Sequence, residues 1–394
     1  MSALSLPPSW LFAQLNGGWG VDFSAVDPAL GPGLQLVARR LLAHGVTAFL
    51  PTVITSSKQA YLTILPQLVP TAGSANGAAV LGVHLEGPFL SPSKPGCHPP
   101  SNIVPPDGRP EALRRACGEH ISHVRLVTLA PELEGAKMLV DELLARGVVV
   151  SAGHSNATAA QMEASLTWGV RMATHLFNAM PPFHPREPGI VGLLGSDSHP
   201  RPYLGLISDG VHVHPASVKI AAMARPESVV LVSDGINALG LPEGSHTFGE
   251  NIVKIQGDRA YVGGTTTLAG AVVALDECMR RYKRFTQCSV VQALEAASLH
   301  AAEALGLASS KGQLHLGADA DLILLDDDLN VQATYVRGVR AWSADAGFAA
   351  ALEDESSLAA ATPPKGAGMS AVAEHIGSGR VVPAGGPGSK RKKR

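Results

Sequence analysis

Eight short apolar runs, alternating with segments of mostly helical period, constrain the fold of this 394-residue chain more than any other feature. The runs are LFAQLN (11–16), VTAFLPTV (46–53), AVLGVHLEG (79–87), HVRLVTLAP (123–131), VVVSAGH (148–154), VRMATHL (170–176), YLGLISDG (203–210) and VVLVSDG (229–235). Between them lie GLQLVARRLLAHG, KQAYLTILPQLV, PEALRRA, GAKMLVDELLARG, TAAQMEASLTWG and PASVKIAAMA, mostly with apolar residues three and four apart. Continuous apolar strands alternating with helices indicate an α/β protein with a parallel sheet covered by helices. Eight such units predict closure into a (β/α)8 TIM-type barrel, with a doubly wound sheet as the alternative.

Beyond the eighth run, residues 245–263 read as a β-ribbon insertion. Helices are expected around ALDECMRRYKRF and SVVQALEAASLHAAEALGL, and strands at DADLILLDD and QATYVRGVRAW. The organisation expected is an N-terminal remnant (1–10), the barrel (11–315), strands of a small β domain (316–342) and a disordered tail (343–394) rich in Ala, Gly, Pro and Ser. The tail ends in KRKKR, read as a solvated charged terminus or a nuclear-import signal.

A formal net charge of −2 gives no electrostatic case for nucleic acid or an acidic membrane as partner. The four cysteines are spread without a CxxC pair, which reads as reduced thiols in a cytoplasmic protein. The start, MSALSLPPSW, has no basic region followed by an apolar core, and no uncharged stretch reads as a membrane span.

The chemistry sits at strand ends. Glu86, His154, His175 and Asp234 end the third, fifth, sixth and eighth runs. The C-terminal ends of barrel strands meet on one face. Two imidazoles and a carboxylate leave an open coordination position on a divalent metal. Such an ion lowers the pKa of bound water and polarises an acyl oxygen. Asp234 is the candidate proton acceptor and donor, and His98 the candidate oxyanion donor. Taken singly, each residue has a plainer explanation as a packed histidine, a helix cap or a turn residue. Four matching positions on one face favour the site.

The strings QLNGGWGVDF, HLEGPFLSPSKPGCH, GHSNAT, THLFNAMPPFHPREPGIVG, SDGVHVHP, LVSDGINALG and GTTTLAGA run in order along the chain. Together they resemble the N-acetylglucosamine-6-phosphate deacetylases of the amidohydrolase superfamily, from about residue 11 to 342. Where many amidohydrolases carry His-x-His, this chain has Gln14-Leu15-Asn16. Amides hold transition metals poorly. The resemblance therefore implies one metal on Glu86, His154 and His175, with Gln14 and Asn16 marking a vestigial second position. Zinc is the expected ion, and iron, cobalt and manganese suit the same donors.

The resemblance further implies substrate contacts at Cys97, His98, Asn178, Ala179, Arg186, Asp209, Gly210, Val211, His212, Leu268, Ala269 and Gly270. It implies a homodimer, with Arg186 or His212 gripping phosphate across the interface. The activity implied is hydrolysis of the acetamide of N-acetyl-D-glucosamine 6-phosphate. The alternatives are another mononuclear amidohydrolase acting on N-acyl or cyclic amides, or a truncated non-catalytic form. Family members carry further residues ahead of the first strand, which pair with the segment after the barrel in a small β-sandwich. This leads to the expectation of an incomplete β-sandwich, whose strands at 316–342 present unpaired edges and an uncovered apolar face.

Overall fold

A computed structural model of the protein describes residues 6–197, 201–248, 251–265 and 268–345. The KRKKR tail lies outside the described residues. Eight parallel strands follow one another in chain order. They are β1 (Trp10–Leu15), β2 (Val46–Ile54), β3 (Val83–Glu86), β4 (Val124–Leu129), β5 (Val149–Ala152), β6 (Met172–Ala173), β7 (Tyr203–Ile207) and β8 (Val229–Val232). Leu15 bridges Gly235 in parallel, and the Asn16 and Gly17 amides donate to the Gly235 carbonyl at 2.9 and 3.1 Å. These strand-end bonds join β8 to β1, so the sheet is a TIM-type barrel and not a doubly wound sheet.

The predicted third strand is divided. Ala79–Val80 pairs with Ala48 and Phe49 of β2. Gly82 then turns the chain at φ +140° before β3 begins. A side chain at Gly82 would run into Arg125 and the His123 carbonyl, so only glycine permits β3 to approach β4 here.

Helices α1 (Leu30–Leu41), α2 (Lys58–Ile64), α3 (Ala112–Cys117), α4 (Ala136–Ala145), α5 (Ala159–Trp168) and α6 (Pro215–Ala224) fall where the periodicity predicts. Their ends follow from sequence: Ser57 caps α2, Thr158 and Gln161 form a capping box on α5, and Gly45 turns left-handed after α1. Among the described residues, the connection after β6 holds only a 3-10 helix, Gly189–Gly195. Among the described residues, three further helices follow β8: α7 (Leu275–Thr286), α8 (Val290–Ala297) and α9 (Leu299–Ala304). The periodicity predicts one helix for the last two. They break at Ser298, whose buried hydroxyl bonds back to the Leu294 carbonyl.

The expected β-ribbon is a four-stranded antiparallel sheet: β9 (Gly244–Phe248), β10 (Asn251–Gln256), β11 (Arg259–Val262) and β12 (Leu268–Ala271). Ala271 bridges Gly235, which seats this insertion beside the end of β8.

The small β domain contains the sheet β13 (Leu322–Leu325), β14 (Val331–Val336) and β15 (Val339–Ser343). Ile323, Leu325, Val331, Val336 and Ala341 join the main core, and Thr334 donates to the Leu42 carbonyl beyond α1. One face is therefore covered by the first β/α unit. The opposite face, with Leu322, Leu324 and Tyr335, is half-buried. The edge of β13 also has a partner: Pro8 bridges Leu322, Ser9 N donates to Asp321 O, and Ile323 N donates to Pro7 O.

Candidate metal centre and substrate pocket

Strand ends set the site. Glu86 is the last residue of β3, and His154, His175 and Asp234 each lie two residues beyond β5, β6 and β8. His154 (φ 48°), His175 (31°) and Asp234 (56°) all occupy left-handed backbone, as do Phe177 (81°) and Ala179 (50°). Such geometry costs about 1–3 kcal/mol per non-glycine residue and concentrates at functional sites. Here it turns the side chains at the strand ends toward one another.

The ligand atoms of Glu86, His154 and His175 lie within 4.8 Å of one another, and all three residues are buried. His154 Nε2 is 3.2 Å, and His175 Nε2 3.0 Å, from Glu86 Oε1; the two Nε2 atoms are 3.0 Å apart. His154 Nδ1 donates to the Lys94 carbonyl at 2.9 Å, which leaves an unprotonated Nε2 facing the carboxylate. Lone pairs and negative charge crowded in this way suit a shared cation, so the donor set fits a divalent metal. Burial by itself would raise the Glu86 carboxyl. The neighbouring imidazoles of His154 and His175, with His98, outweigh burial and hold it well below the usual carboxylate range. Burial likewise opposes charge on His175, but Glu86 prevails and raises it.

Gln14 and Asn16 lie against the same centre. Gln14 Nε2 donates to Glu86 Oε1 at 3.1 Å and to Asp234 Oδ1 at 3.0 Å, while Asn16 Nδ2 donates to Asp234 Oδ1 at 2.6 Å. The Asp234 carboxyl is raised first by burial and then by the negative charge of Glu86.

His98 is buried in the loop after β3, with Nε2 3.8 Å from Glu86 Oε2. The Thr55 amide donates to its Nδ1 at 3.1 Å, and the Thr55 hydroxyl donates to the Glu86 carbonyl. The proton of a neutral His98 therefore sits on Nε2. Burial, then His154, lowers this imidazole to about 3, so it remains a neutral donor.

Beneath the site a buried polar chain crosses the barrel. Thr52 meets His84 Nδ1 at 3.1 Å, His84 Nε2 meets Thr128 at 2.8 Å, and Thr128, Thr174 and Ser151 follow at 2.7 and 2.6 Å. Sequence reasoning missed these residues and Thr55. The polar positions inside otherwise apolar strands were the available signal.

The other expected contacts divide. Asn178 is half-buried, and its Nδ2 has no partner. Asp209 and His212 form a unit: Oδ1 accepts from the Val211 and His212 amides at 2.8 Å each, and Oδ2 accepts from His212 Nδ1 at 2.6 Å. Burial opposes both charges, yet the pairing lowers the Asp209 carboxyl and raises the His212 imidazole. Leu268, Ala269 and Gly270 lie in β12, joined to the residue after Asp234 by the Ala271–Gly235 bridge. Cys97 is exposed beside buried His98. Arg186 is exposed on the loop after His175, and no contact draws its guanidinium to the Asp209–His212 unit of the same chain.

Comparison with known proteins agrees with this architecture. Residues 32–341 match the model of the amidohydrolase family. N-acetylglucosamine-6-phosphate deacetylase from Homo sapiens is 48% identical over 344 residues, covering 86% of this chain and 84% of the human protein. The enzyme of the same name from Danio rerio is 47% identical over 341 residues, with the same two coverages. A structure of a mutant N-acetyl-D-glucosamine-6-phosphate deacetylase from Mycobacterium smegmatis, in complex with N-acetyl-D-glucosamine-6-phosphate, is 32% identical. It superposes with a TM-score of 0.75 over 86% of this chain and 87% of that one. The chain thus belongs to the amidohydrolase family, in the group formed by the N-acetylglucosamine-6-phosphate deacetylases.

Proposed function

We propose that this protein hydrolyses the acetamide of N-acetyl-D-glucosamine 6-phosphate, giving glucosamine 6-phosphate and acetate. The convergence of Glu86, His154 and His175 beside Asp234, with Gln14 and Asn16 in place of a histidine pair, carries this reading. The three ligands would hold one divalent ion, proposed to be zinc, whose Lewis acidity activates water and polarises the acyl oxygen. Asp234 takes the proton of the attacking water and returns it to the departing nitrogen, a role suited to a carboxyl raised above its ordinary value. His98 donates through Nε2 to the oxygen that gains charge, and stays neutral while doing so.

The pocket walls serve the sugar phosphate. Asn178 offers an unused buried amide donor, and Leu268–Gly270 of β12 form the side adjoining Asp234. His212, with Nδ1 bound to Asp209, has Nε2 left to offer an anion. Arg186 would complete the phosphate grip in the partner subunit of a homodimer. Exposed Phe183 on the Arg186 loop, and Ile220 and Met223 on α6 beyond His212, support an apolar interface there. Four unpaired cysteines accord with a cytoplasmic protein. Among the described residues, no helix is long and apolar enough to cross a membrane.

The deciding assay is acetate release by purified, metal-analysed protein, using N-acetylglucosamine 6-phosphate beside unphosphorylated N-acetyl sugars and N-acyl amino acids. Preference for the phosphorylated sugar is expected. Stoichiometric metal with no turnover on any of them would overturn the reading.

A further inference from the structure

The Asp209–His212 unit does not hold itself in place. Its preceding backbone is seated on one face of α7, at positions 278, 281 and 285. Ser208 Oγ donates to the Cys278 carbonyl at 2.7 Å, Arg281 Nη1 donates to the Asp209 carbonyl at 2.6 Å, and Phe285 packs over Gly210. Gly210 is left-handed (φ +74°), and a Cβ there would sit 3.2 Å from the Phe285 ring.

Arg281 also reaches the insertion sheet. Its Nη2 donates at 2.6 Å to Asp258, in the turn between β10 and β11, and its Nε donates at 2.7 Å to Glu277 one helical turn earlier. The side chain is 12% exposed. One planar fork thus satisfies three acceptors in different directions, which a lysine ammonium on a flexible stem does not reproduce.

We propose that Arg281 is a positioning residue for the substrate phosphate, locking the Asp209–His212 turn to the insertion sheet so that the two pocket walls keep a fixed separation. The inference rests on the deacetylase reading, since it concerns how that pocket prefers phosphorylated sugars. Arg281 touches neither the metal ligands nor the His212 ring; it acts through the Asp209 backbone. Because Asp209 sets the orientation of His212, release of Arg281 loosens the phosphate contact while leaving the chemistry at Asp234 in place.

The test uses the full-length metal-loaded protein and its Arg281→Gln, Arg281→Lys and Asp258→Asn variants. Each is assayed on N-acetylglucosamine 6-phosphate and on N-acetylglucosamine, with thermal melting in parallel. Arg281→Gln should raise KM for the phosphorylated sugar about tenfold, with kcat and the unphosphorylated kcat/KM within about threefold of wild type. Arg281→Lys should fall between the two. Asp258→Asn removes only the exposed link, so it should melt like wild type and raise the same KM about threefold; this variant carries the test if Arg281→Gln does not fold. Equal losses on both sugars, or a wild-type KM in folded Asp258→Asn and Arg281→Lys, overturn the role of Arg281. If the wild-type protein does not prefer the phosphorylated sugar, the deacetylase reading falls and takes this inference with it.

Discussion

Gln14 on the first barrel strand donates to Asp234 beyond the eighth, at 3.0 Å, and the same nitrogen lies 3.1 Å from Glu86. One amide thus sits between two carboxylates whose mutual repulsion contributes to the raised Asp234 carboxyl. A carboxamide donor is worth about 1.5–3 kcal/mol to a charged acceptor. Gln14→Leu should therefore raise the Asp234 pKa further, moving the acid limb of kcat/KM upward. The pH profile of the folded variant checks this; an unmoved limb would separate Gln14 from Asp234.

Asp234→Asn should reduce kcat by about 10²–10⁴, the usual span for losing a general acid–base group. Metal content should stay at wild-type level, because Asp234 lies outside the Glu86, His154 and His175 set. Retained turnover would remove Asp234 from the mechanism.

Chelation should abolish activity and lower the melting temperature, and one equivalent of a divalent ion should restore both. An ion bound only by the folded state stabilises it by about 2.7 kcal/mol at a concentration 100 times its Kd. Calorimetric titration of the stripped protein reads the stoichiometry, and two equivalents would contradict a single site.

The Asp209–His212 pair gives a pH dependence of defined sign. His212 is raised in the folded protein, so its contribution to stability is complete below about pH 6.5, the ordinary imidazole value, and is lost as pH rises through the folded value. Asp209 is lowered, so its contribution is present above about pH 3.9 and is lost as pH falls through the folded value. His212→Gln should flatten the alkaline part of the stability profile, as measured by urea unfolding across pH. Loss of the cation should also raise KM for the phosphorylated sugar.

Asn178 is expected to trade stability for binding. Its Nδ2 is buried without a partner, and an unpaired buried donor costs about 1–3 kcal/mol. Asn178→Ala should therefore melt at or above the wild-type temperature while KM rises. A lower melting temperature with unchanged KM would make Asn178 a packing residue.

The eight strands, most of their helices, and the four residues at strand ends follow from periodicity, because local apolar pattern decides which segments become strands. Periodicity fails where a side-chain-to-backbone bond or a long-range contact overrides local preference. Ser298 splits one predicted helix, Gly82 divides one predicted strand, and residues 268–271 extend the ribbon into a fourth strand.

The composition of the centre is legible along the chain: two imidazoles and a carboxylate at strand ends, with the amides Gln14 and Asn16 on the first strand. How those groups act depends on contacts made only in the folded barrel. The His154 tautomer is set by Lys94, sixty residues away in the chain, and the His98 tautomer by Thr55, forty-three away. Gln14 reaches Asp234 across a separation of 220 residues, and Arg281 reaches the Asp209 carbonyl across 72. Proton placement and pKa depend on which dipoles and charges lie within a few ångströms, and barrel closure brings together groups that are distant along the chain.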